Sequence, residues 1–134
     1  MRHISESRFR ARYAETDQMG MVYYANYLVW MEIGRTDFCR ECGFSYRDLE
    51  REEQAFLTVA EATCRYLAPA RYDDEILVAT ELSRVGSRVV EFTYRIKSGP
   101  TLLAEGRTFH VVIGTDGKPR SMPERYLELL KSKM

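Results

Sequence analysis

Asp17 is the side chain best placed for chemistry in this chain. It stands in the run Tyr13-Ala14-Glu15-Thr16-Asp17-Gln18-Met19-Gly20-Met21-Val22-Tyr23-Tyr24-Ala25-Asn26-Tyr27. The acid comes just ahead of a glycine and of an aromatic-rich helix start. A carboxylate facing the N-terminus of a largely apolar helix suits the splitting of an acyl bond. The helix end stabilises a developing oxyanion, and the acid serves as nucleophile or as general base. Aspartate is ionised at neutral pH, as either role requires, and the sequence leaves both roles open. Gly20 lets the loop approach a reacting group closely. Asn26 either caps the helix or orders the loop. An isolated Thr-Asp pair reads more simply as an Asx turn or a cap; the surrounding run is what raises Asp17 above that.

The elements that must position this loop follow from periodicity. Phe9, Ala11 and Tyr13 alternate with Arg8, Arg10 and Arg12, which predicts a half-buried strand over Ser5 to Tyr13. From about Tyr23 the pattern is helical. Leu28, Met31 and Phe38 lie on related faces, and Val29, Trp30 and Ile33 widen the stripe, so other structure must wrap the helix. Gly43 is suited to end it. Ser45 with Asp48 opens a short second helix that ends near Glu53. Four strands follow: Phe56 to Leu67, Ile76 to Val85, Val89 to Lys97 and Leu102 to Ile113. Val90, Phe92, Tyr94 and Ile96 alternate with Glu91, Thr93, Arg95 and Lys97, the clearest period of two. Gly86-Ser87 and Ser98-Gly99-Pro100 read as hairpin connections. Ser121, Pro123 and Glu124 predict a capped terminal helix through Leu127 and Leu130. This order implies an α+β fold, with an antiparallel sheet curled around one long helix.

Composition bounds the rest. A chain of 134 residues fits one domain, residues 1–134, with no repeat or linker. Twenty basic and twenty acidic side chains give a net charge of zero, which offers no bulk attraction for nucleic acid or membrane. No apolar run reaches the length of a membrane span, and the N-terminus lacks a secretory h-region. Three cysteines argue against a disulfide framework and for a reducing compartment, so the expectation is cytoplasmic. Cys39-Arg40-Glu41-Cys42 has redox spacing but falls toward a helix C-terminus, where the dipole disfavours thiolate. With no second ligand pair there is no metal set, and no cofactor motif is present. His110 reads as a packed strand residue.

Thr16-Asp17-Gln18-Met19-Gly20-Met21-Val22-Tyr23-Tyr24-Ala25-Asn26-Tyr27 and Arg65-Tyr66-Leu67-Ala68-Pro69-Ala70-Arg71-Tyr72-Asp73-Asp74 resemble the hotdog-fold acyl-CoA thioesterases of the 4-hydroxybenzoyl-CoA thioesterase type, in particular the bacterial branch associated with the Tol-Pal envelope system. The resemblance spans nearly the whole chain. It implies a hotdog fold, acyl-CoA as substrate, and a homodimer with one continuous sheet, paired into a homotetramer. It implies that Asp17 is the catalytic acid and that the backbone amide of Tyr24 binds the oxyanion. Many members of that branch carry histidine where this chain has Tyr24, which removes any imidazole role there and keeps the backbone donor.

Coenzyme A carries phosphates, so cations should gather at the cleft mouth. Arg88, Lys118 and Arg120 take that role by the resemblance. The acyl pocket should be apolar, with Trp30 and Met31 on the helix and Thr58 and Val59 on the next strand as its walls. Glu61, a polar residue in an apolar run, is a further candidate to face the site. The leading expectation is an acyl-CoA thioesterase that needs no metal. The alternatives are a non-catalytic acyl-CoA or acyl-carrier binding protein on the same fold, and a hydratase, which would need a histidine beside Asp17. An acyl carrier protein is the other carrier that fits the chemistry.

Overall fold

The long helix expected from Tyr23 onward is α1, Asn26–Cys42, in a computed structural model that describes residues 2–134. It follows strand β1, Ile4–Arg10, and a 3-10 turn at Tyr13–Glu15. A short helix α2, Tyr46–Glu53, is capped by the Ser45 hydroxyl, which accepts from the Asp48 amide. Strands β2 (Phe56–Tyr66), β3 (Glu75–Val85), β4 (Val89–Ser98) and β5 (Thr101–Ile113) come next, then helix α3, Glu124–Lys131.

The five strands form one sheet in the order β1-β3-β4-β5-β2, and each neighbouring pair is antiparallel. Helix α1 packs across one face of it. The buried helix residues Tyr27, Trp30, Met31, Gly34, Arg35, Phe38, Cys39 and Cys42 recur at three- and four-residue intervals, so one stripe meets the sheet. Gly34 sits where helix and sheet come closest. A Cβ there would lie 2.9 Å from Cγ1 of Val78 and nearer still to Oγ1 of Thr80, so any side chain would push α1 off the sheet.

Two expectations change. Strand β1 stops at Arg10, and Tyr13 is 76% exposed. The chain turns because the Ala11 amide donates to Asp74 O, after which Tyr13–Glu15 coil into the 3-10 turn. The inward rungs of β1 are instead Ser5 and Ser7, whose hydroxyls donate to Glu41 and Asp37 of α1. At α3 the N-cap is Pro123, with no side-chain cap, so Ser121 does not play that part.

Directly opposed residues of an antiparallel ladder share a face. Ala104, Thr108, His110 and Val112 of β5 are buried toward α1. Their partners Tyr66, Ala62, Val59 and Leu57 therefore form the inner face of β2. A bulge between Val59 and Glu61 leaves Ala60 unpaired and resets the alternation. The two edges of the sheet differ. Edge β1 is guarded by Arg8 and Arg10, which pair with Glu6, Asp73 and Glu75. Edge β2 is exposed from Thr58 through Thr63 on both faces, and it carries Val59, Ala60 and Ala62 there.

Candidate active site

Three local bonds shape the loop that carries Asp17. Its backbone amide donates to Met21 O at 2.8 Å, and the Gly20 amide donates to Asp17 O at 3.0 Å. Carboxylate atom Oδ1 accepts from the amides of Met19 (2.9 Å) and Met21 (3.3 Å). Gly20 closes the turn at φ 78°, a left-handed conformation that glycine takes without strain. Asp17 is thus both an Asx-turn residue and a half-exposed acid. One oxygen holds the loop, and the other accepts no hydrogen bond from any described residue.

The loop is tied to the helix start through Glu15. Its carbonyl accepts from the Tyr23 amide (2.8 Å) and from Asn26 Nδ2 (2.8 Å). Asn26 therefore orders the loop, and the N-cap position falls to Ala25, with no side-chain cap. The Glu15 carboxylate is buried and accepts from the Arg12 amide, Arg12 Nη2 and the Trp30 indole at 3.0 Å. Burial pushes its pKa up, but the bonds from Arg12 and Trp30 outweigh this and hold it below the usual carboxylate range. The sequence reading passed over Glu15; a second carboxylate two residues before Asp17 was the available signal.

At the start of α1 the Asn26, Tyr27 and Leu28 amides donate to Tyr23, Tyr24 and Ala25 carbonyls. Among the described residues, the amides of Tyr24 and Ala25 have no acceptor. These are donors that a helix N-terminus leaves open, and they carry its positive end. Tyr66 fixes the geometry: its hydroxyl donates to Tyr24 O at 2.8 Å, and its ring stands edge-on to Tyr24 and Tyr27. Tyr27 is buried, and its hydroxyl accepts from the Ala70 amide. Asp17, Met21, Tyr24, Tyr27, Tyr66 and Leu67 line a cleft of about 330 Å³. Its walls are mostly apolar, with one carboxylate and one open helix end.

The other expected site residues separate. Trp30 and Met31 are fully buried between helix and sheet, so they support the cleft from behind and do not line it. Val59 faces the helix, in a second cavity beyond the cleft. Thr58 and Glu61 oppose Val111 and Phe109 on the far face of the sheet, because the bulge at Ala60 turns them there. Arg88 and Lys118 are exposed at the sheet end where Val89 meets Val111. Arg120 donates to Glu53 O and Ser121 O. Tyr66, by contrast, pairs with Ala104 near the opposite end. Within this chain these cations and Asp17 therefore lie at opposite ends of β2.

Cys39 and Cys42 are free and buried. Burial pushes both thiols up, Cys42 to about 11, so neither is a thiolate at neutral pH. Among the described residues no cluster of His, Cys, Asp and Glu could hold a metal ion. Among the described residues no helix is long and apolar enough to cross a membrane.

His110 is buried, and its Nε2 lies 2.8 Å from Thr108 Oγ1. Burial, then the Arg35 cation, push its imidazole down to about 4. In the unfolded chain a histidine takes its proton near pH 6.5. The unfolded state thus binds more protons between about 6.5 and about 4, and stability falls as pH is lowered through that window. The expected loss is about 3 kcal/mol across the interval. Urea unfolding at several pH values should show a shallower acid slope for His110→Gln than for the parent; parallel slopes would clear His110 of this role.

The family model described as Thioesterase superfamily matches residues 19–105. The acyl-CoA thioester hydrolase YbgC of Escherichia coli O157:H7 is 37% identical over 117 residues, 86% of this chain and 87% of that one. A hypothetical protein from Thermus thermophilus superposes with a TM-score of 0.93 at 35% identity, over 98% of each chain. The DHNA-CoA thioesterase of Staphylococcus aureus gives 0.88 at 30% identity, over 97% of this chain and 87% of its own. With this fold around that cleft, the chain belongs to the thioesterase superfamily.

Proposed function

We propose that the protein hydrolyses acyl-CoA thioesters at the Asp17 cleft. The observation that carries this reading is the pairing of the unengaged Asp17 oxygen with the open Tyr24 amide on one cleft. The acyl carbonyl would lie with its oxygen on that amide. Either the free Asp17 oxygen attacks the carbonyl carbon and forms an anhydride, or it takes a proton from a water that attacks. In both routes the carbonyl oxygen becomes anionic and the Tyr24 amide stabilises it. Collapse breaks the carbon–sulfur bond, and the coenzyme A thiolate leaves and is protonated by solvent. Water completes the acid product, directly or by opening the anhydride.

The same reading makes the site a property of a dimer. Edge β2 is long, exposed and partly apolar, which invites pairing with a second copy. In a two-fold antiparallel pairing the start of one β2 lies beside the end of the other. That brings Arg88, Lys118 and Arg120 of one copy toward the Asp17 cleft of the other, where they hold the phosphates. Two such dimers make the homotetramer. Free Cys39, Cys42 and Cys64 suit a reducing cytoplasm.

A thiol-release screen over short, long and aromatic acyl-CoA esters tests the reaction. Turnover of at least one class is expected. Saturable binding of these esters with no thiol released from any of them would instead make the protein an acyl-CoA binder.

A further inference from the structure

The stripe of α1 that begins at the cleft continues beyond it. Tyr24, Leu28, Glu32 and Arg35 follow at intervals of four, four and three residues, which places them on one side of the helix. Facing them is the inner row of β2: Tyr66, Ala62 and Val59. Tyr24 and Tyr66 line the Asp17 cleft. Leu28, Glu32, Arg35, Val59, Ala62 and Thr108 line a second cavity of about 220 Å³. Both spaces lie between α1 and edge strand β2, with the acid lining the first and Arg35 the second.

Arg35 has no carboxylate in contact there, although the Tyr94 and Tyr46 hydroxyls and, more weakly, Glu32 attract its charge. It is only 8% exposed. The ion pairs formed among the described residues all join other side chains. Its Nε is sealed without an acceptor, and the Tyr46 hydroxyl and Thr80 Oγ1 are likewise buried and unpaired. Thr108, on the cavity wall, already meets Tyr94 and His110. Glu32, one turn earlier, is exposed and forms no ion pair with Arg35 among the described residues. A guanidinium keeps its charge at any physiological pH, and a buried charge without a counter-ion is an incomplete site. Planar carboxylates are the ligands its fork fits best.

We propose that the space between α1 and β2 accepts acyl-CoA esters whose acyl chain ends in a second carboxylate, and that Arg35 receives that carboxylate. The proposal rests on the thioesterase reading for the position of the thioester. From Asn26, its first residue, to Arg35 the helix rises about 14 Å. The Arg35 side chain leans back toward the helix N-terminus, so the chain that fits is of medium length. The apolar rungs Leu28, Val59 and Ala62 hold its methylenes.

The test compares suberoyl-CoA, an eight-carbon chain with a terminal carboxylate, against octanoyl-CoA, with six- and ten-carbon pairs beside them. The full-length protein is expected to favour the dicarboxylic member of at least one pair by roughly tenfold or more in kcat/KM. Arg35→Met is expected to lower that ratio by about the same factor, and Arg35→Lys to restore part of it. A ratio of rates is insensitive to a general loss of folded enzyme. A parent that prefers the plain chain in every pair, or a ratio that neither variant moves, would overturn the proposal. Calorimetric binding to Asp17→Asn separates the two readings. An Arg35-dependent preference for suberoyl-CoA in Kd, with no hydrolysis by the parent, keeps the carboxylate site and rejects the thioesterase. Equal Kd values for both esters reject the carboxylate site.

Discussion

Asp17→Asn is expected to lower acyl-CoA hydrolysis by roughly a thousandfold or more, about 4 kcal/mol of barrier. The variant isolates the charge. Asparagine keeps a carbonyl oxygen to accept from the Met19 and Met21 amides, so the Asx turn and the path of the loop should persist. What disappears is the anionic oxygen that no described residue engages. A neutral amide is a poor nucleophile and a poor base. Thiol release measures the rate, and a thermal melt followed by circular dichroism checks that the fold is intact. Normal turnover by a folded variant would remove Asp17 from the chemistry. Loss of rate together with loss of fold would call for binding of acyl-CoA to be measured at a temperature where the variant is folded.

The second large effect is a rescue. Arg88→Ala with Lys118→Ala should leave under roughly a tenth of the activity at low substrate, because phosphates lose their counter-charges. Arg120 is left in place, since it holds Glu53 O and Ser121 O within its own subunit. Alone, the double variant should keep under roughly a tenth of the activity and Asp17→Asn roughly a thousandth. Once the two proteins are mixed and their subunits exchanged, half the dimers are mixed. Each mixed dimer contains one site with an intact Asp17 and intact cations from the other copy. Activity should recover to about a quarter of the parent level. A self-contained subunit would give no recovery, because each chain would carry its own defect. The result therefore reads directly whether opposite ends of β2 from two copies build one site.

Elements with strong local signals were legible in the sequence. Gly43 caps the end of α1 in a left-handed conformation and the Ser45 hydroxyl caps the start of α2, as those residue types dictate. The alternation of β4 survives intact: Val90, Phe92, Tyr94 and Ile96 are buried. The arginine alternation misled at β1, since Arg12 continues a period of two through a chain that has already turned on Asp74. Nothing local marks Ser5 and Ser7 as inward-facing, because their partners, Glu41 and Asp37, lie thirty or more positions away.

The candidate site divides along the same line. Asp17, Gly20 and the Tyr24 amide are neighbours in sequence, and local geometry brings them together. Which side of β2 faces the helix depends on one extra residue. The bulge at Ala60 sends Thr58 and Glu61 outward and Val59 and Ala62 inward, and no residue type in Thr58-Val59-Ala60-Glu61 announces it. Trp30 and Met31 are apolar helix residues, as expected, yet the same apolarity suits a core and a pocket equally. Tyr66 and Arg35 escaped notice because their importance lies in what surrounds them: a carbonyl at the helix start for one, a buried Nε without an acceptor for the other.

The central claim is that a thioester sits between the Asp17 carboxylate and the first free amide of α1. A crystal structure of Asp17→Asn with a hydrolysable acyl-CoA bound tests it most directly. The account predicts the carbonyl oxygen about 3 Å from the Tyr24 amide nitrogen, the carbonyl carbon against the residue-17 side chain, and the phosphates beside Arg88 and Lys118 of a second copy. An ordered ligand with its thioester anywhere else on the molecule would contradict it.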